Sequence, residues 1–290
     1  RRVIAERESK NNGKIYLEDV VITSGVTEGV NLVFGATLES GDEVLIPGPG
    51  YPTYTAYANF FGAVPISYRT IEEEGWDIDV EDLRSKITDR TRCIVIINPN
   101  NPTGATYSKK NLREILDIAL EHDLFIISDE IYDRITFNDS FVSPASMTDE
   151  VPILTFNGIS KIYLAPGWRV GYIAFYNWDT LSDIKEGIMK ELRARIAANS
   201  VCQMGAIEAY KSSEKYVLEM VSKLKERSEF AYKRLNEIPG ISTTKPMGSL
   251  YIFPKVELEN RWKDDKEFVY EFLRMKKVLL VHGSGFCPVY

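Results

Sequence analysis

Two stretches, "RCIVIINPN" (92–100) and "LFIISDE" (124–130), carry unbroken runs of apolar residues rich in isoleucine, and "SKKNLREILDIALEHD" (108–123) lies between them. A strand with no polar face must be covered on both sides, and two such strands joined through a helix must run parallel. The intervening segment has apolar residues at helical spacing and Ser108 in position to cap it. The alternation extends outward. "VVITSG", "EVLIPGPGYP", "VPISYRT", "PILTFNG" and "RVGYIAFY" read as further strands, with "TEGVNLVFGATLES" and "TAYANFFG" among the helices between them. The expected fold class is therefore α/β: a mostly parallel sheet with helices on both faces.

After Trp178 the pattern changes to long helices, "TLSDIKEGIMKELRARIAANS", "VCQMGAIEAYKSS" and "EKYVLEMVSKLKERSEFAYKRLNEI". Beyond Pro239-Gly240, "ISTTK", "SLYIFPKV" and "VLLVHG" read as short strands around a helix in "DDKEFVYEFLRMKK", an α+β pattern. The expected organisation is a tail of an N-terminal helix over 1–12, a large domain over 13–230 and part of a small C-terminal domain over 231–290. Both ends read as interrupted, since the chain opens inside a helical pattern and closes just after a strand.

Net charge of −7 over 290 residues gives no general attraction to nucleic acid or to an anionic membrane surface, so neither is expected as a partner. Any cationic site must be local. Three scattered cysteines, with no histidine at ligand spacing, predict neither a disulfide nor a metal site and fit a reduced, cytoplasmic compartment. With two histidines, His122 and His282, and His122 at a helix end, proton transfer is expected to rest on another group.

In a sheet of this kind ligands sit outside the carboxyl ends of the strands. Ser24, Gly25 and Val26 stand where a strand hands over to a helix, a place that favours a phosphate through backbone N–H groups and the helix dipole, though taken alone such a segment is more often a tight turn and nothing more. Asn101, before Pro102, sits in an Asn/Pro turn that either points into the cleft or only leads to the next helix. Asp129 emerges from a buried strand and needs a cationic partner if it is ionised there; Tyr132 follows on the same turn. Lys161 follows "PILTFNG", flanked by Gly158 and Ser160, so that the backbone can approach a ligand closely. Held near cations and apolar walls, such a lysine becomes a usable amine nucleophile. Arg169 offers a planar fork for a phosphate, and Tyr51 in "GPGYPTY" offers an aromatic face for a flat heterocycle.

Taken together, "GISKIYLAPGWRVG", "NPNNPTG" and "SDEIYD" resemble the cofactor-attachment signature and the two other ligand-binding segments of class I/II aminotransferases, in that family's order along the chain. The likeness runs from "VVITSGVTEG" to "VLLVHGSGF" and is nearest to archaeal alanine-aminotransferase-like enzymes. It implies the fold-type-I architecture and pyridoxal 5'-phosphate as cofactor. It further implies a homodimer, and transfer of an amino group from an amino acid, alanine or aspartate, to a 2-oxo acid such as 2-oxoglutarate. Carried over by position, Lys161 would form the Schiff base with the cofactor and then carry the proton at the substrate Cα, and Asp129 would pair with the ring nitrogen. Asn101 and Tyr132 would hydrogen-bond the ring oxygen, Tyr51 would stack on the ring, and Arg169, Ser24 and the amides of Gly25 and Val26 would hold the phosphate, with Ser160 beside them. The sequence departs from the pattern at Gly158, where the family often has a phosphate-binding serine. The family's carboxylate-binding arginine and a tyrosine that reaches the partner's phosphate are expected beyond the two ends. The same lysine, aspartate and arginine also serve carbon–sulfur β-lyases, and the fold also occurs in non-catalytic effector-binding domains, so both remain alternatives.

Overall fold

The computed structural model describes residues 1–138, 141–258 and 261–287; positions 259–260 and 288–290 of the expected C-terminal domain lie outside the described residues. In chain order the elements are α1 (Arg2–Asn11), β1 (Val20–Thr23), α2 (Val26–Thr37), β2 (Glu43–Gly48), α3 (Pro52–Phe60), β3 (Val64–Ile71), β4 (Asp77–Ile78) and α4 (Val80–Ser85). There follow β5 (Thr91–Ile97), α5 (Lys109–Glu121), β6 (Phe125–Asp129), β7 (Ile153–Gly158), β8 (Gly171–Tyr176), α6 (Ser182–Arg195) and α7 (Ser200–Lys211). Last come α8 (Lys215–Asn236), β9 (Ile241–Ser242), β10 (Lys255–Val256) and α9 (Asp265–Lys276).

The main sheet has the order β1-β8-β7-β6-β5-β2-β3-β4. Its centre, from β3 through β2, β5 and β6 to β7, is parallel, as the unbroken apolar runs require. β8 lies antiparallel between β7 and β1. Because β8 runs backward, its first residues arrive at the edge where β1, β6 and β7 end, and this brings Arg169 to the carboxyl-end rim. Side chains alternate between two apolar layers. On one face Val95, Ile97, Ile127 and Phe156 pack with Val33 and Phe34 of α2, Tyr54 of α3 and Ile188 of α6. On the other, Ile94, Ile96, Ile126 and Ile153 pack with Leu83 of α4 and Ile115 of α5, and Ile4 of α1 joins the same layer. The cap anticipated at Ser108 is present, and Asp79 caps α4 in the same way, each side-chain oxygen accepting from the backbone N–H three residues on.

α1 is tied in by charge rather than by apolar burial alone. Arg7 pairs with Glu8 and Asp133 and donates to the Tyr172 hydroxyl at 2.7 Å. The fully buried Glu8 carboxylate accepts from the Tyr172 hydroxyl (2.6 Å), the Tyr176 hydroxyl (2.9 Å) and Asn12 Nδ2 (2.7 Å). Removing one partner from such a network strands buried charge. Arg7→Ala is therefore expected to lower unfolding free energy by roughly 3–5 kcal/mol, read as a lower urea midpoint with an unchanged slope.

One element differs from expectation. "VLLVHG" forms no strand: among the described residues 278–282 pair with no neighbouring strand, and Leu279 and Val281 stand 74% and 68% exposed. Its composition favours a strand, but an extended segment needs a partner to complete its hydrogen bonds.

Candidate active site

Six strand ends and turns converge on one cavity of about 270 Å³. Its wall includes Tyr51, Asn101, Asp129, Tyr132, Ser160, Lys161 and Arg169, together with Val26 and Thr27 at the start of α2. These residues are separated by up to 143 positions in sequence (26 to 169) and come together only through the sheet topology. Ser24 and Gly25 complete the arrangement from behind Arg169, whose Nη2 donates to the Ser24 carbonyl at 3.0 Å while Nη1 donates to the Pro166 carbonyl at 3.0 Å.

The turn from β1 into α2 is shaped by glycine. Gly25 has φ +83°, and a Cβ there would overlap the Arg169 guanidinium. Its contact across the sheet is as close, since a Cβ on Gly171 would come within 2.7 Å of the Gly25 carbonyl carbon. Gly158 is explained the same way: a Cβ there would sit 2.7 Å from the Val170 carbonyl, so a serine at this position requires β7 and β8 to separate. Arg169 itself adopts a left-handed conformation (φ +52°, ψ +51°), which costs a non-glycine residue on the order of 1 kcal/mol and is a feature of ligand-binding segments. α2 begins at Val26 with no side-chain cap on its N-terminus, while the Ser24 N–H is taken by Glu28 Oε2 at 2.6 Å. The first-turn N–H groups of α2 and the Arg169 fork thus face the same end of the cavity, a pairing suited to a phosphate. Among the described residues Arg169 has no carboxylate partner.

At the other end stands Asp129, buried at the tip of β6. Its Oδ2 accepts from the Tyr54 hydroxyl at 2.7 Å and its Oδ1 from the Ile131 N–H at 3.2 Å. Burial pushes this carboxyl up to about 6, against the opposing pull of those two hydrogen bonds and of Lys161. Lys161 is shifted the other way. Its ammonium is held below the ordinary lysine range chiefly by burial, with Arg169 adding to the effect and Asp129 opposing it. Its Nζ lies 5.7 Å from the centroid of the Tyr132 ring, and among the described residues it has no hydrogen-bond partner. Tyr132 is 2% exposed, its hydroxyl 2.7 Å from that of Tyr251. Asn101 is buried, and among the described residues its Oδ1 has no hydrogen-bond partner. A buried amide oxygen left so is costly unless something else fills the cavity.

Every residue expected to touch the cofactor thus lies on this cavity or directly against it. Three were missed. Tyr54 gave no signal beyond its place in "YPTYTAY"; Thr27 follows directly on the Ser24–Val26 segment; Tyr251 lies in "GSLYIFPK", remote from every other wall residue. The helix-turn placement of Thr27 was the one readable cue.

The family model for aminotransferase class I and II matches residues 4–287. The chain is 40% identical over 276 residues to the alanine aminotransferase of Mycobacterium tuberculosis, an alignment covering 93% of this chain and 64% of that protein. It is 38% identical over 296 residues to the glutamate-pyruvate aminotransferase AlaA of Escherichia coli, covering 98% of this chain and 71% of the relative. Among solved structures, the alanine aminotransferase from Pyrococcus furiosus superposes with a TM-score of 0.96 at 52% identity, covering 99% of this chain and 73% of that one. The chain thus spans about two thirds of the length of these relatives.

Proposed function

Because the chain belongs to the aminotransferase class I and II family, we propose that it holds pyridoxal 5'-phosphate in the Lys161 cavity and moves the amino group of alanine or aspartate to a 2-oxo acid such as 2-oxoglutarate. The observation that carries the proposal is the joint presence of Lys161, Asp129 and Arg169 on one cavity wall. The residues fit the cofactor's chemistry: an unpartnered buried amide oxygen at Asn101, a guanidinium with no carboxylate partner among the described residues, and a glycine cradle at Gly25. When bound, the cofactor supplies an aldehyde that takes up the donor amine and a protonated ring that draws electrons from the donor Cα.

The chain's own residues do the remainder. Arg169, Ser24 and the first amides of α2 hold the phosphate, with Ser160 beside them. Tyr51 offers its face to the ring, and Asn101 and Tyr132 stand where they can hydrogen-bond its oxygen. Asp129 keeps a proton on the ring nitrogen. Lys161 would hold the cofactor covalently and, once displaced, would take the proton from the donor Cα with its Nζ; burial lowers its basicity below the ordinary lysine range, which raises the share of free amine at any given pH. The working unit on this reading is a cytoplasmic homodimer. Support for the dimer is an exposed apolar edge beside the site, where Val201 and Met204 are 79% and 66% exposed on α7 and Gly205 abuts Trp168.

The test is a half-reaction. Alanine added to the cofactor-loaded protein is expected to discharge the absorption of the lysine-bound cofactor with one pyruvate per site, and 2-oxoglutarate to restore it. Pyruvate and ammonia released continuously from cystathionine, with no oxo acid required, would assign the site to elimination instead.

A further inference from the structure

We infer that Tyr54 is a positioning residue for this site: its buried hydroxyl fixes the Asp129 carboxylate in the orientation and charge state that a cationic heterocycle requires. The inference rests on the cofactor reading above. Tyr54 does not line the cavity. It stands in the first turn of α3, fully buried, and reaches Asp129 from the side away from the ligand space.

Three observations restrict what this hydroxyl can do. Its ring is locked, packed edge-on against Phe34 of α2 with centroids 6.4 Å apart and planes at 64°. The hydroxyl oxygen is therefore held in place, and its O–H turns to Asp129 Oδ2 at 2.7 Å. Its own acidity is suppressed well beyond the ordinary phenol range by burial and by the neighbouring carboxylate, so the proton stays on Tyr54 and the bond has a fixed donor. On the acceptor side, the Ile131 N–H occupies Oδ1. Asp129 is thus gripped once on each oxygen by donors on the protein side, and its remaining lone pairs are left for the cavity.

The grip also sets charge. Apolar neighbours Ile97 and Ile131 share the wall with Asp129, and burial there favours the neutral acid. A donated hydrogen bond favours the carboxylate. The titratable groups facing Asp129 are Tyr54 from α3, Lys161 from the segment after β7, and the tyrosines Tyr51, Tyr132 and Tyr251; of these only Tyr54 donates a hydrogen bond to it. A protonated Asp129 could not counter a positive ring nitrogen. Without Tyr54 the acid would be neutral over more of the working pH range.

Tyr54→Phe removes one oxygen and keeps the ring, so the packing against Phe34 survives. Tyr68→Phe is the matched control: Tyr68 is equally buried, but its hydroxyl donates to the Val95 carbonyl at 2.7 Å instead. In the ligand-free protein, carboxyl ¹³C NMR is expected to show the Asp129 titration midpoint moved upward in Tyr54→Phe and unmoved in Tyr68→Phe. Pyridoxal 5'-phosphate is then expected to bind Tyr54→Phe about ten- to a hundredfold more weakly near neutral pH, the range for one hydrogen bond to a charged group. The deficit should shrink as pH rises past the new midpoint. Weaker binding with an unshifted Asp129 midpoint, or with a pH-independent deficit, would reduce Tyr54 to a packing residue and overturn the inference. Equal behaviour of the two variants would do the same. Failure of the unsubstituted protein to bind the cofactor through Lys161 would instead remove the reading on which the inference stands.

Discussion

Lys161→Ala is expected to leave the protein folded, still able to take up pyridoxal 5'-phosphate, and without transferase activity. The fold should survive because the side chain does little for it. Among the described residues Lys161 makes no hydrogen bond and no ion pair, and its contact with the Tyr132 ring is a loose 5.7 Å. Burial holds its ammonium below the ordinary lysine range, which places its sign in the pH dependence. A lysine with a folded pKa below its unfolded one binds its proton more readily in the unfolded chain, so its charge weighs against folding at neutral pH. That weight lifts as pH rises through the folded value toward 10.5. The alanine variant lacks this alkaline gain and should be no less stable than the parent at pH 7. Cofactor uptake should persist through Arg169, the α2 amides and Asp129, whose contacts do not involve the amine. Two functions disappear together, the covalent linkage and the base that takes the Cα proton. Loss of a positioned base alone lowers rates by roughly 10²–10⁴, so transfer should fall on the order of 10⁴-fold or more. Absorbance near the visible edge and borohydride trapping on the Lys161 peptide report the linkage; coupled pyruvate formation reports the rate. A variant that keeps the linked-cofactor band would show that another amine holds the cofactor.

Much of this was legible from residues alone, for identifiable reasons. Strands buried on both faces must be apolar throughout, so β5, β6 and β7 were unmistakable, and the polar residues ending them, Asn101, Asp129 and the segment to Lys161, stood out against that background. The likeness of three ordered segments then gave the family, which the matched residues 4–287 bear out. Strand direction was less accessible: nothing in "RVGYIAFY" states that β8 runs against β7, although that reversal is what carries Arg169 to the rim. Tyr54 and Tyr251 were invisible because they act through side-chain partners far along the chain, and a tyrosine in a helix start or a turn carries no sign of which carboxylate or phenol it will meet. The Arg7–Glu8–Asp133 network was hidden likewise, since in sequence it reads as an ordinary charged helix face. "VLLVHG" failed in the opposite sense: local propensity was clear, and the absence of a pairing neighbour among the described residues decided against it.

Asp129→Asn is expected to separate stability from function, moving them in opposite directions. The carboxyl's midpoint in the fold is about 6, against 3.8 for an ordinary aspartate. Between those values the folded chain holds a proton that the unfolded chain has lost. Stability therefore falls as pH rises through this window, and the deficit remains in full above about 6. Asparagine keeps the shape and an oxygen to accept from Tyr54 while carrying no charge to desolvate. The ligand-free variant should thus melt above the parent at pH 8 and coincide with it near pH 4. Glu130, also pushed up by burial, and Asp79 and Glu43, pulled down by their hydrogen bonds, titrate in both proteins. They cancel in the difference between the two melting curves, which leaves Asp129 and the Lys161 ammonium coupled to it. Function should move the other way. Losing one member of a buried, hydrogen-bonded charge pair typically costs about 2–5 kcal/mol of binding, or roughly 30- to several-thousandfold in cofactor affinity. Transfer should fall further still, because an amide cannot keep the ring nitrogen protonated. A variant that bound the cofactor like the parent, or a melting difference with no break near pH 6, would mean that this carboxylate is not the anion the site is built around. The ligand-free protein would then be tolerating a destabilising buried charge for which this cavity offers no use.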